Sequence, residues 1–195
     1  MAGGMTRLHL VRHGQTDWNL EGRWQGQADV ALNDRGREQA RQSAHRLAAI
    51  PLDAIYSSDL LRASETAREI ARLNPAPLVL EPRLREIHQG EWQGLLVEEI
   101  QARFADAYHR RRLNPLTVAA PGGETTQQVR ERALAAVRDL AAKYPRGNVA
   151  VVSHGFTLAV LLTHFFQIPV ERVWEQIPKN GEITVLEVDP EFVGG

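Results

Sequence analysis

The sequence predicts an α/β fold, a three-layer α/β/α sandwich around a mostly parallel central sheet. Three observations carry this. Short apolar runs alternate with longer runs whose apolar residues recur at helical spacing. Two strands, ending near residues 11 and 152, run into the same His-Gly dipeptide, as expected where parallel strands deliver side chains to one sheet edge. The 195 residues suffice for a sizeable core, and no repeat, low-complexity tract or linker divides them, so 1–195 reads as a single domain.

The elements follow in order. Met1-Ala2-Gly3-Gly4-Met5 has neither the basic nor the apolar region of a signal peptide and reads as a short disordered extension. Arg7–Val11 is a buried strand. Asn33-Asp34 offers an N-cap to a helix over 35–50, whose Ala40, Ala44, Leu47 and Ala48 share a face. Asp53–Tyr56 is a second strand. Leu60–Leu73 is a helix stopped by Asn74-Pro75, and Pro77–Leu80 is a short strand. One helix is expected from Val97 to about Arg111, inside an irregular stretch that reads, over 88–122, as a lid or insertion. Thr125-x-x-Gln128 is a capping box for a helix ending near Tyr144. Asn148–Ser153 is the most β-like segment. Phe156–Phe166 is a buried helix, and Ile183–Val188 is a last strand with Val185 and Leu186 in the core.

Composition excludes several functions. With no cysteine there is no disulfide, thiolate metal site or cysteine nucleophile. A net charge of −1 gives no basic field to attract nucleic acid or anionic membrane. No apolar run approaches the roughly 20 residues of a membrane-spanning helix. A cytoplasmic enzyme is the expectation. Phe165, Phe166 and Trp174 are candidates for the core or for a homodimer interface.

The chemistry gathers at strand ends. Val11-Arg12-His13-Gly14 and Val152-Ser153-His154-Gly155 place two histidines at one sheet edge if their strands are neighbours. Their glycines allow close approach of a ligand, and helix N-termini behind them favour an anion. Arg62, on the first turn of the helix after the second strand, offers a planar fork for two phosphate oxygens. Glu86 follows the third strand and puts a carboxylate at the same edge, with Glu91 as its rival. An imidazole that attacks phosphorus, cations that neutralise its oxygens and a carboxyl that protonates a leaving oxygen form a set for phosphate-ester chemistry. Any one histidine after a strand is ordinarily packed or solvated; the repeated ending argues otherwise. His9, His45, His109 and His164 read as structural or surface residues. Trp18, Trp24 and Trp92 read as core or rim. A metal site of His13, His88, His154 and Glu86 is the competing chemistry, but no His-Glu-x-x-His helix or aspartate cluster supports it.

Five blocks then stand in order: Arg-His-Gly-x-Thr-x-x-Asn, Ser-Ser-Asp-x-x-Arg-Ala-x-x-Thr-Ala, Leu-Arg-Glu-Ile-His-x-Gly-x-Trp-x-Gly, Pro-Gly-Gly-Glu and Ser-His-Gly. Over roughly Leu8 to Val188 the sequence resembles the histidine phosphatase superfamily, which includes the cofactor-dependent phosphoglycerate mutases. The resemblance implies a phosphoglycerate mutase-like fold and a metal-independent phosphomonoesterase with no cofactor. It implies that His13 becomes phosphohistidine, that Arg12, Arg62 and His154 neutralise the transferring phosphoryl, and that Glu86 is the acid and then the base. Gly14, Gln15, Thr16, Asn19, Gln25, Gly26 and Gly155 would line the substrate pocket. The third block looks more like the broad-specificity phosphatase branch than like the mutases, which commonly have asparagine where this sequence has Phe156 and carry a larger insertion with basic residues. Arg110-Arg111-Arg112 either imitates those or is a solvated helix face. A mutase is the alternative, and a non-catalytic phosphate-binding protein a more distant one. Trp24, Trp92, Phe104 and Tyr108 are expected to make an apolar rim suited to bulky aromatic esters.

Overall fold

The computed structural model describes residues 4–189. Of the extension expected at 1–5, residues 1–3 lie outside the described residues; strand β1 begins at Thr6. The central sheet has five strands: β1 (Thr6–Arg12), β2 (Ala54–Ser57), β3 (Leu78–Leu80), β4 (Asn148–Ser153) and β5 (Ile183–Val188). Their order is β3-β2-β4-β1-β5; all neighbours are parallel except β5, which runs antiparallel to β1.

Helices α1 (Asp17–Glu21), α2 (Asp34–Leu47), α3 (Leu61–Leu73), α4 (Val97–Arg103), α5 (Ala105–Leu113), α6 (Thr126–Lys143) and α7 (Gly155–Phe165) connect them. Because strand side chains alternate, Val11, Ile55, Ala150 and Val152 pack on α2 and α3. Leu8, Leu10, Tyr56, Val149 and Val151 face α6 and α7. Two helical layers on one sheet make the expected sandwich. The caps read from sequence are present. The Asn33 side chain accepts the Gly36 N–H, and Thr125 and Gln128 close a capping box.

Two expectations change. Leu186 is buried, but Val185 is 48% exposed. Successive strand residues point to opposite faces, and β5 is an edge strand, so both cannot enter one core. The helix expected over 97–111 breaks at Phe104, whose backbone (φ −135°, ψ 36°) separates α4 from α5. Phe104 packs there with Trp92, Ile100 and Ala120. The five-residue α1, too short for a periodic signal, is held by a Thr16–Asn19 capping box and ends on Gly22 at φ +78°. The 88–122 stretch gathers around buried Trp92 and Ile100 as a cluster of its own, beside the sandwich.

Candidate active site

β1 and β4 pair in register, with Val11 beside Val152 and Arg12 beside Ser153. The next residues, His13 and His154, therefore leave the sheet edge side by side, ring centroids 5.1 Å apart. A Cβ on Gly14 would sit 2.2 Å from the Gly36 carbonyl oxygen, and one on Gly36 would sit 2.0 Å from that of Gln15. The loop after β1 thus lies flush on the first turn of α2, which only two glycines permit.

His13 Nδ1 lies 2.6 Å from the Gly14 carbonyl oxygen. A carbonyl only accepts, so the ring hydrogen is on Nδ1 and the lone pair on Nε2. Arg62 Nε donates to that Nε2 at 3.3 Å. Burial first, then the charges of Arg62 and Arg12, hold the His13 pKa well below its ordinary value, and His154 is lowered by burial, Arg62 and His13. Both rings are neutral at neutral pH.

Arg62 is 1% exposed, and its terminal nitrogens donate to the carbonyls of Ala28 and Gly26, each at 2.8 Å. Arg12 donates to the Pro178 carbonyl at 2.6 Å, and its Nε is buried without a partner. Among the described residues these acceptors are all neutral. Burial lowers the Arg62 pKa to about 10, so it stays cationic at neutral pH. The carboxylate in the field of both arginines is Glu86. A buried guanidinium and a half-buried one, without a bonded counter-charge, make an anion site.

Glu86 follows the 3₁₀ turn Pro82–Leu84. Its carbonyl accepts from Gln27 Nε2 and Arg132, each at 3.0 Å. Its Oε1 accepts the N–H groups of Ile87 (2.9 Å) and Thr157 (3.0 Å), and Oε2 accepts that of Phe156 (3.0 Å). Phe156 and Thr157 lie in the first turn of α7, so the group seated on this helix end is the Glu86 carboxyl itself rather than a ligand. Glu91, its rival in the sequence, is exposed.

The remaining expected residues divide. Gly155 leaves room for Arg12, whose Cζ would lie 3.1 Å from an added Cβ. Gly26 supplies a carbonyl to Arg62. Gln25 is buried with its Oε1 unpartnered. Asn19 is tied to the His13 carbonyl through Asn180, whose Nδ2 donates to both. Thr16 caps α1. The Gly14 N–H donates to Thr66 Oγ1 at 3.1 Å. Gln15 is turned toward α2, its N–H on Gln39 and its Oε1 on Asn33. Of the other histidines, His9 is buried beside Asn148 in β1, and His45 and His109 are exposed.

The sequence reading missed several supports. Ser58 Oγ lies 2.8 Å from His154 Nε2 and accepts the Leu60 N–H. The other ring nitrogen of His154, Nδ1, is buried and unpartnered. Arg132 donates to the carbonyls of Arg83, Arg85 and Glu86 and to both oxygens of Glu124, so α6 fixes the Glu86 loop. Ser58 and Glu124 stood in recognisable blocks; nothing local marked Arg132.

Beside this set is a cavity of about 330 Å³ lined by Trp24, Trp92, Tyr108, Arg111, Arg112 and Trp174. Arg111 is 4% exposed, bonded to Gln89 Oε1 at 2.7 Å, and lies 5.2 Å from the Trp92 ring centroid and 5.5 Å from that of Trp24. Its neighbours Arg110 and Arg112 are exposed, so the triplet is neither a cluster nor a uniformly solvated face. Among the described residues no group of three or more His, Cys, Asp or Glu is placed to hold a metal ion, and no helix is long and apolar enough to cross a membrane.

A Hydrogenobacter thermophilus protein named phosphoserine phosphatase 1 is 32% identical over 95% of this chain and 88% of its own length. A probable phosphoglycerate mutase, GpmB, of an Enterobacter species is 36% identical over 85% of this chain and 77% of its own. The structure of a mycobacterial glucosyl-3-phosphoglycerate phosphatase in complex with VO3 is 34% identical and superposes with a TM-score of 0.83, covering 92% of this chain and 90% of that one. The family model of the histidine phosphatase superfamily (branch 1) matches residues 8–193, and the chain belongs to that family.

Proposed function

We propose that this protein is a cytoplasmic, metal-independent phosphomonoesterase that works through phosphohistidine on His13. The single observation that carries the reading is the His13 ring itself. Its hydrogen is fixed on Nδ1, so Nε2 carries the lone pair that would attack; Arg62 Nε now donates to it, and His154 lies beside the ring. In the first step Nε2 bonds to phosphorus, the ester P–O bond breaks, and Glu86 gives its proton to the leaving oxygen. In the second, Glu86 takes a proton from water, the water oxygen bonds to phosphorus, and the N–P pair returns to Nε2. Arg12 and Arg62 neutralise the phosphoryl oxygens throughout, and neutral His154 supplies a hydrogen bond beside them.

The leaving group would occupy the aromatic cavity. Trp174 stacks on Phe156 at 4.6 Å, and the Phe156 N–H holds Glu86; Gln89, which holds Arg111, is three residues beyond Glu86. The cavity therefore adjoins the acid, where the ester oxygen departs. Its ring faces suit a bulky planar or ring-bearing alcohol.

A mutase is the second reading, favoured by the Enterobacter relative. One experiment separates them: incubation with a panel of phosphomonoesters and chelator, including 3-phosphoglycerate with and without 2,3-bisphosphoglycerate. Release of inorganic phosphate with an acid-labile, alkali-stable phosphoenzyme is expected. Conversion of 3- to 2-phosphoglycerate without phosphate release would establish the mutase. Activity abolished by chelator would overturn metal independence.

A further inference from the structure

The Thr157 hydroxyl lies between two oxygens, 2.8 Å from the Arg85 carbonyl and 3.1 Å from Glu86 Oε1. A hydroxyl carries one hydrogen, so it donates to one of these at a time. Neither choice strands a buried group. When the hydrogen points to Glu86, the Arg85 carbonyl keeps its bond from Arg132 at 2.6 Å. When it points to Arg85, Glu86 Oε1 keeps the N–H groups of Ile87 and Thr157. Thr157 is fully buried, so water does not compete for either position.

We propose that Thr157 is a positioning residue for the proton-transfer steps, its hydroxyl hydrogen turning between the Glu86 carboxylate and the Arg85 carbonyl as Glu86 loses and regains its proton. This rests on the role of Glu86 given above. A group that is first acid and then base must be held in one place in both charge states. Backbone N–H groups cannot adapt, because they donate always; a hydroxyl can. After the Glu86 proton passes to the leaving oxygen, the hydroxyl turns toward the new negative charge. After Glu86 takes a proton from water, it turns back to the carbonyl. No atom leaves Thr157 in either step.

The other groups around Glu86 do not change charge in this cycle. Arg12 from β1 and Arg62 from α3 supply its field, Arg132 from α6 and Gln27 hold its carbonyl, and the first turn of α7 supplies fixed N–H groups. His154, at the end of β4, is held neutral.

The test is Thr157→Val, which keeps the β-branched shape and the backbone N–H, beside Thr157→Ser, which keeps the hydroxyl. The ionised carboxylate loses a donor in Thr157→Val, so the limb of the kcat profile that reports Glu86 moves to higher pH. kcat falls about tenfold with KM little changed, because the hydroxyl does not face the phosphoryl pocket. Thr157→Ser restores both. If Thr157→Val folds poorly, Thr157→Ala serves in its place, with far-UV circular dichroism confirming the fold. An unmoved pH limb, or a serine variant that behaves like valine, overturns the proposal. Failure of the wild-type protein to form phosphohistidine would instead overturn the reading on which it rests.

Discussion

The floor of the site and its aromatic wall are built in opposite ways. On the floor the functional groups rest largely on main chain: strand register sets His13 beside His154, carbonyls hold the His13 ring and Arg62, and helix-end N–H groups hold Glu86, with Ser58 and Arg132 as side-chain braces. In the wall side chains hold one another. Trp24 meets Trp92 and Trp174, each at 5.7 Å between centroids, Trp92 meets Tyr108 at 5.9 Å, and Arg111 lies among them. A backbone-built floor tolerates little change and suits the one group common to all phosphoesters. A wall of packed rings can be re-formed with other side chains at modest cost, and so suits the part of the ester that differs. The contrast assigns chemistry to the floor and choice of substrate to the wall.

The sharpest test is His13→Ala. Loss of the nucleophile removes the covalent route for every ester, and kcat should fall by about 10⁴-fold or more whatever the leaving group. Steady-state phosphate release across a panel of esters measures it, and near-normal turnover of any one of them would end the phosphohistidine mechanism. Arg62→Ala comes next. It removes a buried cation from the phosphoryl group, at a cost of about 10²–10³-fold that is again uniform across esters. It also removes one of the charges that depress the His13 pKa, so the His13 titration followed by NMR should move up toward 6.5. A loss that varied strongly from ester to ester would break the division between floor and wall.

The same division governs what could be read from the sequence. Arg12, His13, Glu86 and His154 were legible because each directly follows an apolar strand or its turn, and Arg62 because it opens a helix just after one. The sheet then fixes where such residues emerge. Thr157 and Arg132 were not, since what makes them matter is a partner 72 or 46–49 positions away, and the block that held Ser58 did not show its partner 96 positions on. Gly14 has a use that was not legible: lacking a Cβ, it lets its loop rest on Gly36, and its N–H donates to Thr66. In the wall almost nothing was local. Phe104 breaks a helix that periodicity draws as one, because its ring belongs to the Trp92 cluster. Trp174, expected in the core or at an interface, stacks on Trp24 and Phe156 at the cavity. The arginine triplet splits because neighbours on a helix are about 100° apart, so Arg111 turns inward while Arg110 and Arg112 do not.

The wall itself is probed by Trp174→Ala. Trp174 is 41% exposed and meets the Glu86 side of the site through Phe156, so the floor should survive its loss. kcat/KM for aryl or sugar-bearing esters should fall about tenfold, while small esters lose little. The informative quantity is the ratio between the two classes, from progress curves under identical conditions. Equal losses in both would mean that the wall acts on catalysis rather than on choice, and the comparison would fail.

The smallest effect separates the regions by their protons. His13 and His154 are buried and neutral, each with a pKa well below the 6.5 of an exposed imidazole. Below pH 6.5 the unfolded chain therefore binds protons that the folded chain refuses, and stability falls as pH falls. Each histidine contributes a slope of up to about 1.4 kcal/mol per pH unit, present between its folded pKa and 6.5 and absent above it. Arg111 in the wall adds no slope there: burial brings its pKa to about 10, so it is cationic in both states from pH 5 to 8. Urea unfolding of the wild type between pH 7.5 and 5 should show this decline. His13→Ala removes one refused proton and should flatten it, whatever its effect on stability at pH 7.5. Arg111→Met should change stability by the same amount at every pH. A pH-dependent change in Arg111→Met, or an unflattened slope in His13→Ala, would show that the two regions do not titrate as separately as they are built.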